Sequence, residues 1–225
     1  MRTSSETVWN TLDAMQSSTT FSRWNHSTGK RLLDVACAGV FLALSSPLLL
    51  VAAILVKCTS SGPALYRHER VGKDGRPFKV LKFRTMSSNR QVAGPNLTSS
   101  GDRRVTTIGK LLRRWKIDEL PQFLNVLSGE MSLVGPRPDA QQYVRQLSAD
   151  EKQVLLLLPG ITGAASLAFR DEETVLSRVA AEQLEEFYCA ELLPAKVRLD
   201  LDYARRASLV GDLAILFRTL AAILR

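Results

Sequence analysis

Apolar positions along this chain change their spacing several times, and each change marks an element. From Val35 to Val56 the sequence reads VACAGVFLALSSPLLLVAAILV, 22 residues without a charge and long enough to cross a bilayer as a helix. Pro47 sits in the middle, after Ser45 and Ser46. It has no N–H for the carbonyl of Ala43, which predicts a kink or break there, and the serine hydroxyls are at hand for backbone groups freed inside lipid. Further on, the turn signals Gly62-Pro63 and Lys73-Asp74-Gly75 set off alternating stretches around Ala64–Tyr66 and Phe78–Phe83, predicting a small β-hairpin. The polar stretch 87–102 reads as a surface loop. Over 106–117, Ile108, Leu111, Leu112 and Trp115 share one helical face, with Lys110, Arg113, Arg114 and Lys116 around it. Such a basic amphipathic helix either lies on an anionic membrane surface or packs against a core with a solvated basic side. A second helix is expected from Asp118 as N-cap, through Pro121 in its first turn, to a stop at Gly129. Residues 131–138 read as an extended loop, and 148–157, 171–192 and 194–206 as further helices. Over 208–224 only Asp212 and Arg218 are charged, which suits an interfacial helix.

Charge changes the picture of the apolar run. Arg23, Lys30 and Arg31 precede it; Lys57, Arg67, Arg70, Lys73, Arg76, Lys79, Lys82 and Arg84 follow. Basic residues favour the cytoplasmic side. A re-entrant helix that breaks at the membrane break Ser46, Pro47 and returns leaves both flanks there; a kinked full span is the alternative. Asp34 either ties down one end of this helix or is an N-terminal acid. Residues 1–29 read as a polar, mobile or weakly helical extension, in which Trp24 is either an interfacial anchor or a surface aromatic. That lead-in is too long for the n-region of a cleaved signal peptide. The organisation expected is an N-terminal extension (1–29), a re-entrant membrane anchor (30–58) and a catalytic domain (59–225). The fold class is mainly α with a small β-hairpin, monotopic in the membrane. Three cysteines, Cys37, Cys58 and Cys189, have neither disulfide-framework nor metal spacing and read as free thiols. The net charge of +8 favours anionic partners.

The chemistry concentrates at Asp118 and Glu119. Arg113 and Arg114 lie about a turn upstream, and Arg137 lies in a Gly-Pro-Arg-Pro loop downstream. Arginines around a carboxylate make a phosphate site, in which the carboxylate binds a divalent cation or attacks phosphorus. An aspartate at a helix start is otherwise simply a cap.

The blocks KRLLDVACAGVFLALSSPLLL, RVGKDGRPFKVLKFRTM, DRRVTTIGKLLRRWKIDELPQFLNVLSGEMSLVGPRP and LLPGITG carry a resemblance from Lys30 to Arg225. The chain resembles the bacterial sugar transferase family, the small monotopic phosphoglycosyl transferases, in their minimal form. The resemblance implies several roles. Asp118 matches a nucleophile forming a covalent phosphosugar intermediate and a ligand for Mg²⁺. Glu119 matches its dyad partner, deprotonating or orienting the acceptor phosphate. Arg113 matches an arginine that meets the lipid phosphate, and Ser46 and Pro47 match the break of a re-entrant helix. Among the family's motifs, Arg137 is a phosphate-binding candidate. Lys82, Arg84 and Thr85 either support the site or hold the hairpin to the catalytic helix. Pro159–Gly163 is expected as a tight turn at the pocket mouth, and residues between Ser166 and Tyr188 as the seat of sugar selectivity. The implied partners are a UDP-sugar, polyprenol (undecaprenyl) phosphate and inner-membrane lipid at the cytoplasmic face. No nucleic acid partner is expected, and a homo-oligomer is left open. Two other readings fit the residues: a basic membrane module that binds nucleic acid or anionic lipid without catalysis, and a transferase that makes the same product in one step.

Overall fold

The structure, a computed structural model, describes residues 21–86, 102 and 104–224. Most of the N-terminal extension, with Trp9 and Met15, and the loop 87–102 apart from Asp102 lie outside the described residues. The protein is mainly helical, with two small two-stranded sheets and one long apolar helix near the N-terminus.

That helix, α1 (Thr28–Thr59), starts at Ser27, whose hydroxyl accepts the Lys30 N–H. Helical backbone continues through Pro47, so Ser46-Pro47 is not an interruption of the helix. The Ser46 hydroxyl donates to the Ala43 carbonyl at 2.8 Å, the acceptor that proline leaves without its i+4 donor. Both halves of α1 pack on the same domain. Lys30, Asp34 and Ala38 are buried near one end, Ala52 and Val56 near the other. Asp34 accepts the N–H of Leu133 at 3.0 Å, tying the helix down rather than merely complementing its dipole. The Phe41 ring stacks on Phe123 with centroids 5.4 Å apart.

The hairpin pairs β1 (Leu65–Val71) with β2 (Pro77–Phe83), Tyr66 opposite Lys82. Asp74 and Gly75 take positive φ in the connecting turn. Helix α2 (Thr107–Arg114) is capped by Thr106. Its apolar stripe divides: Ile108 and Leu112 join Ala52, Val56 and Phe83 in a core cluster, while Leu111 and Trp115 face outward. Helix α3 (Gln122–Ser128) begins three residues later than expected and ends at Gly129, φ 88°.

After it comes α4 (Gln141–Val144), and then a 3-10 turn Glu151–Leu156 in place of the expected helix 148–157. Val154, Leu155, Leu156 and Leu157 are all buried in succession, more than one stripe of an α-helix can hide. The segment 131–138 is not simply a loop, nor 159–163 a turn. β3 (Ser132–Val134) pairs in parallel with β4 (Gly160–Thr162). The expected helix 171–192 is broken into α6 (Glu172–Leu176), a 3-10 turn, α7 (Leu184–Phe187) and a π-helical turn Tyr188–Leu192. Its backbone is extended at Ala180, ψ 143°. α5 (Ala164–Ala168) precedes this stretch. α8 (Leu193–Arg206) and α9 (Leu209–Ile223) follow it, close to the expected bounds. Trp24 is not a free anchor: its indole N–H donates to Asp212 of α9 at 2.9 Å, the same carboxylate that pairs with Lys30 and accepts from Tyr203.

Candidate active site

Three local devices bring the polar residues together. Gly109 presses α2 onto the end of β2, where a Cβ would lie 2.2 Å from the Thr85 carbonyl oxygen. Arg113 therefore reaches Thr85, its Nε donating to the hydroxyl at 3.0 Å. Lys116 then turns the chain with φ 53°, a left-handed conformation uncommon outside glycine. A 3-10 turn, Ile117–Glu119, follows and carries both carboxylates. Asp118 sits inside that turn rather than capping α3, which corrects the expectation of an N-cap: α3 has no side-chain cap. The third device is backbone contact without side chains. A Cβ on Gly160 would lie 2.2 Å from the Gly135 nitrogen, and one on Gly163 2.2 Å from the Gly135 oxygen. This close approach fixes the Pro136-Arg137-Pro138 loop against β4.

The two carboxylates meet different surroundings. Glu119 accepts from Lys82 at 2.7 Å and from Arg137 at 2.6 and 3.4 Å. Burial pushes its carboxyl upward, but the Arg137 and Lys82 charges outweigh this and hold it well below the usual range. Reciprocally, Glu119 raises Arg137, whereas burial lowers Lys82 despite the same partner. Asp118 is buried, and its Oδ1 has no hydrogen-bond partner among the described residues. Burial raises its carboxyl and the Glu119 charge adds to the rise; Lys82, Arg113 and Lys116 oppose them.

The structure thus brings Asp118, Glu119, Lys82, Arg113, Thr85 and Arg137 together. Arg84 is turned away: its guanidinium donates to the Ser60 carbonyl and hydroxyl at the end of α1. Sequence reasoning missed Lys116 and Glu173 as members of this neighbourhood, and passed over the buried Gln122. Glu173 approaches Arg113 at 3.8 Å; its distance in sequence hid it. Gln122, four residues after Asp118, was within reach of a helical-spacing argument.

Mg²⁺ takes oxygen ligands and commonly only one or two from protein carboxylates, the rest coming from phosphate and water. No group of three or more His, Cys, Asp or Glu that could hold a metal occurs among the described residues. Asp118, which is in no ion pair among the described residues, fits an ion held through a single protein carboxylate.

Comparison with known proteins agrees with this chemistry. The family model described as bacterial sugar transferase matches residues 25–225. The UDP-glucose:undecaprenyl-phosphate glucose-1-phosphate transferase of Caulobacter vibrioides is 42% identical over 202 residues, 87% of this chain and 69% of that protein. The UDP-N-acetylgalactosamine-undecaprenyl-phosphate N-acetylgalactosaminephosphotransferase of Aeromonas hydrophila is 36% identical over 87% of this chain, which spans only 43% of its length. The exopolysaccharide production protein ExoY of Rhizobium meliloti is 34% identical over 86% of this chain and 84% of its own.

Proposed function

This chain belongs to the bacterial sugar transferase family, and on that premise we propose that it transfers a sugar 1-phosphate from a UDP-sugar to polyprenol phosphate through a covalent intermediate on Asp118. The observation that carries the covalent reading is the contrast between the two carboxylates. Glu119 is ionised and held by two cations, which leaves it a weak base and favours the orienting role. Asp118 lies amid Lys82, Arg113 and Lys116 but is in no ion pair among the described residues. A carboxylate whose charge is not taken up by an ion pair is the better nucleophile of the two.

In the first step an Asp118 carboxylate oxygen forms a bond to the β-phosphorus. The bond from that phosphorus to the bridging oxygen breaks, and UMP leaves with the electron pair. In the second step an oxygen of polyprenol phosphate attacks the same phosphorus and the Asp118 carboxylate departs. The product is a polyprenyl-diphosphate-linked sugar. Arg113, held by Thr85, and Arg137, held by Glu119, offer donors to phosphate oxygens in fixed directions. Asp118 would hold Mg²⁺, which supplies neutralisation of the diphosphate charge.

The membrane arrangement in this proposal is re-entrant, at the cytoplasmic face of the inner membrane. Both halves of α1 rest on one domain, and a helix leaving the domain to cross the bilayer would free one of them. Leu44, Leu48, Leu50 and Val51 at its middle stay exposed and suit lipid.

The test is capture of the intermediate. Purified protein given UDP-sugar labelled in the sugar should carry label, labile to hydroxylamine as an acyl phosphate is, and release UMP. Asp118→Asn should show neither. Turnover without any captured label would favour the one-step transferase; an active Asp118→Asn protein would end the assignment of Asp118.

A further inference from the structure

Asp118 has a neighbour as poorly satisfied as itself. Gln122 is 2% exposed, and its Nε2 has no hydrogen-bond partner among the described residues. Most buried polar atoms are paired, and an orphaned one calls for an explanation. The helix is not short of partners in general. Asn125, on α3 and equally buried, donates to the Lys79 carbonyl at 2.9 Å and to Glu130 at 2.8 Å, and accepts the Leu81 N–H at 3.0 Å. The deficit is local to Gln122, and its complement lies at Asp118: one atom is an acceptor lacking a donor, the other a donor lacking an acceptor.

Gln122 follows Asp118 by four residues along the chain. Leu120 and Pro121 both have right-handed helical dihedrals between the 3-10 turn and α3. Residues four apart on such a path share a face. The terminal torsion of a glutamine is broad, so the amide can swing toward a carboxylate at little cost.

We infer that Gln122 is a positioning residue for Asp118, its side-chain amide donating to the inner oxygen Oδ1 while the outer oxygen bonds to phosphorus. The inference rests on the covalent reading above. When the outer oxygen takes the phosphosugar, Oδ1 becomes the carbonyl oxygen of an acyl phosphate. When polyprenol phosphate attacks and the carboxylate departs, negative charge returns to Oδ1. A donor aimed at Oδ1 stabilises that returning charge, so the amide acts most strongly on breakdown of the intermediate. In the first step it fixes which oxygen faces phosphorus.

Gln122→Met, close in size and without polar atoms, removes the donor while keeping the packing; Gln122→Leu is the second variant. Because the Nε2 is unpaired in the free protein, an apolar replacement should not lower the melting temperature. Turnover should fall about 10- to 150-fold, as for loss of a hydrogen bond to a charged group. KM for UDP-sugar should stay put, and the fraction of protein carrying labelled sugar phosphate at steady state should rise. Turnover like that of the parent protein would overturn the inference. So would a loss expressed wholly as a higher KM for UDP-sugar, which would place the amide on the nucleotide, or lower melting in both variants, which would make it structural. Absence of captured label from the parent protein would sink the covalent reading itself, and this inference with it.

Discussion

Asp118 and Glu119 are one peptide bond apart, and their partners separate their chemistry. Glu119 has its charge taken up by Lys82 and Arg137; Asp118 has an oxygen to spare. Asp200 on α8 is a third buried carboxyl with a different consequence. Its Oδ1 accepts the N–H of Ala165 at 3.0 Å, and burial pushes its carboxyl up to about 7 against the opposing pull of that hydrogen bond and Lys196. In the unfolded chain the same group titrates near ~3.9. The native state therefore holds the proton more tightly, and stability falls as pH rises from about 4 to about 7, then levels. The full difference is worth up to about 4 kcal/mol. Asp200→Asn keeps an acceptor for Ala165 and should remove this slope. Urea midpoints in detergent, followed across that pH range, should converge at low pH and separate in favour of Asn at high pH. Parallel profiles for the two proteins would show that Asp200 ionises freely in the fold.

At the scale of elements, α1 and α9 are joined by one carboxylate. Asp212 meets Lys30, Trp24 and Tyr203, and both it and Lys30 are buried. Removing one partner of a buried ion pair costs about 3–5 kcal/mol, so Asp212→Ala should lower unfolding stability by that order. A loss below about 1 kcal/mol would mean solvent takes over the Lys30 charge. The position of α1 bears on topology as well. Single cysteines replacing Thr28 and Ser61, in a background without the native ones, should both resist an impermeant thiol reagent applied to intact spheroplasts; labelling at Thr28 would establish a full span. Much of this level was legible beforehand. Uncharged length disclosed α1, turn residues disclosed the hairpin, and Gly129 and the apolar stretches disclosed the C-terminal end of α3 and the run of α8 and α9. What escaped notice had no periodicity to read. β3 and β4 are three residues each and pair across 28 positions of sequence, so neither shows alternation enough to register as a strand. The break of 171–192 falls at Ala180, whose backbone is extended, and Glu172 in the helix before it pairs with Lys196 on α8, a long-range pairing that local propensity does not encode. The same limit applies at the site: the Asp-Glu pair and its arginines were legible by type, but the Lys82–Glu119–Arg137 grouping depends on β2 and the Pro-Arg-Pro loop converging.

At the scale of the whole molecule, the proposed reaction joins a substrate dissolved in water to one held in lipid. Exposed apolar side chains are distributed accordingly. They occur on α1 (Leu44, Leu50), on and just after α2 (Leu111, Trp115) and on α9 (Val210, Phe217). α2 also carries Arg113 toward Asp118, so a membrane contact through Leu111 and Trp115 would set the height of the carboxylates relative to lipid phosphates. This separates the two steps experimentally. Leu111→Glu combined with Trp115→Glu adds charge only to exposed positions and should leave the fold intact, since the side of the helix with the partly buried Ile108 and the buried Leu112 is untouched. Formation of the labelled intermediate from UDP-sugar, which needs no lipid, should persist near the parent level. Transfer to polyprenol phosphate in vesicles should slow by about tenfold or more, because two buried apolar contacts worth roughly 1.5–3 kcal/mol each are replaced by charges that resist insertion. Presenting the acceptor as a short, water-soluble prenyl phosphate should restore much of the rate, since the acceptor then no longer has to be met at a fixed depth. Equal slowing with both acceptors would place Leu111 and Trp115 in the service of the site's shape rather than of the membrane.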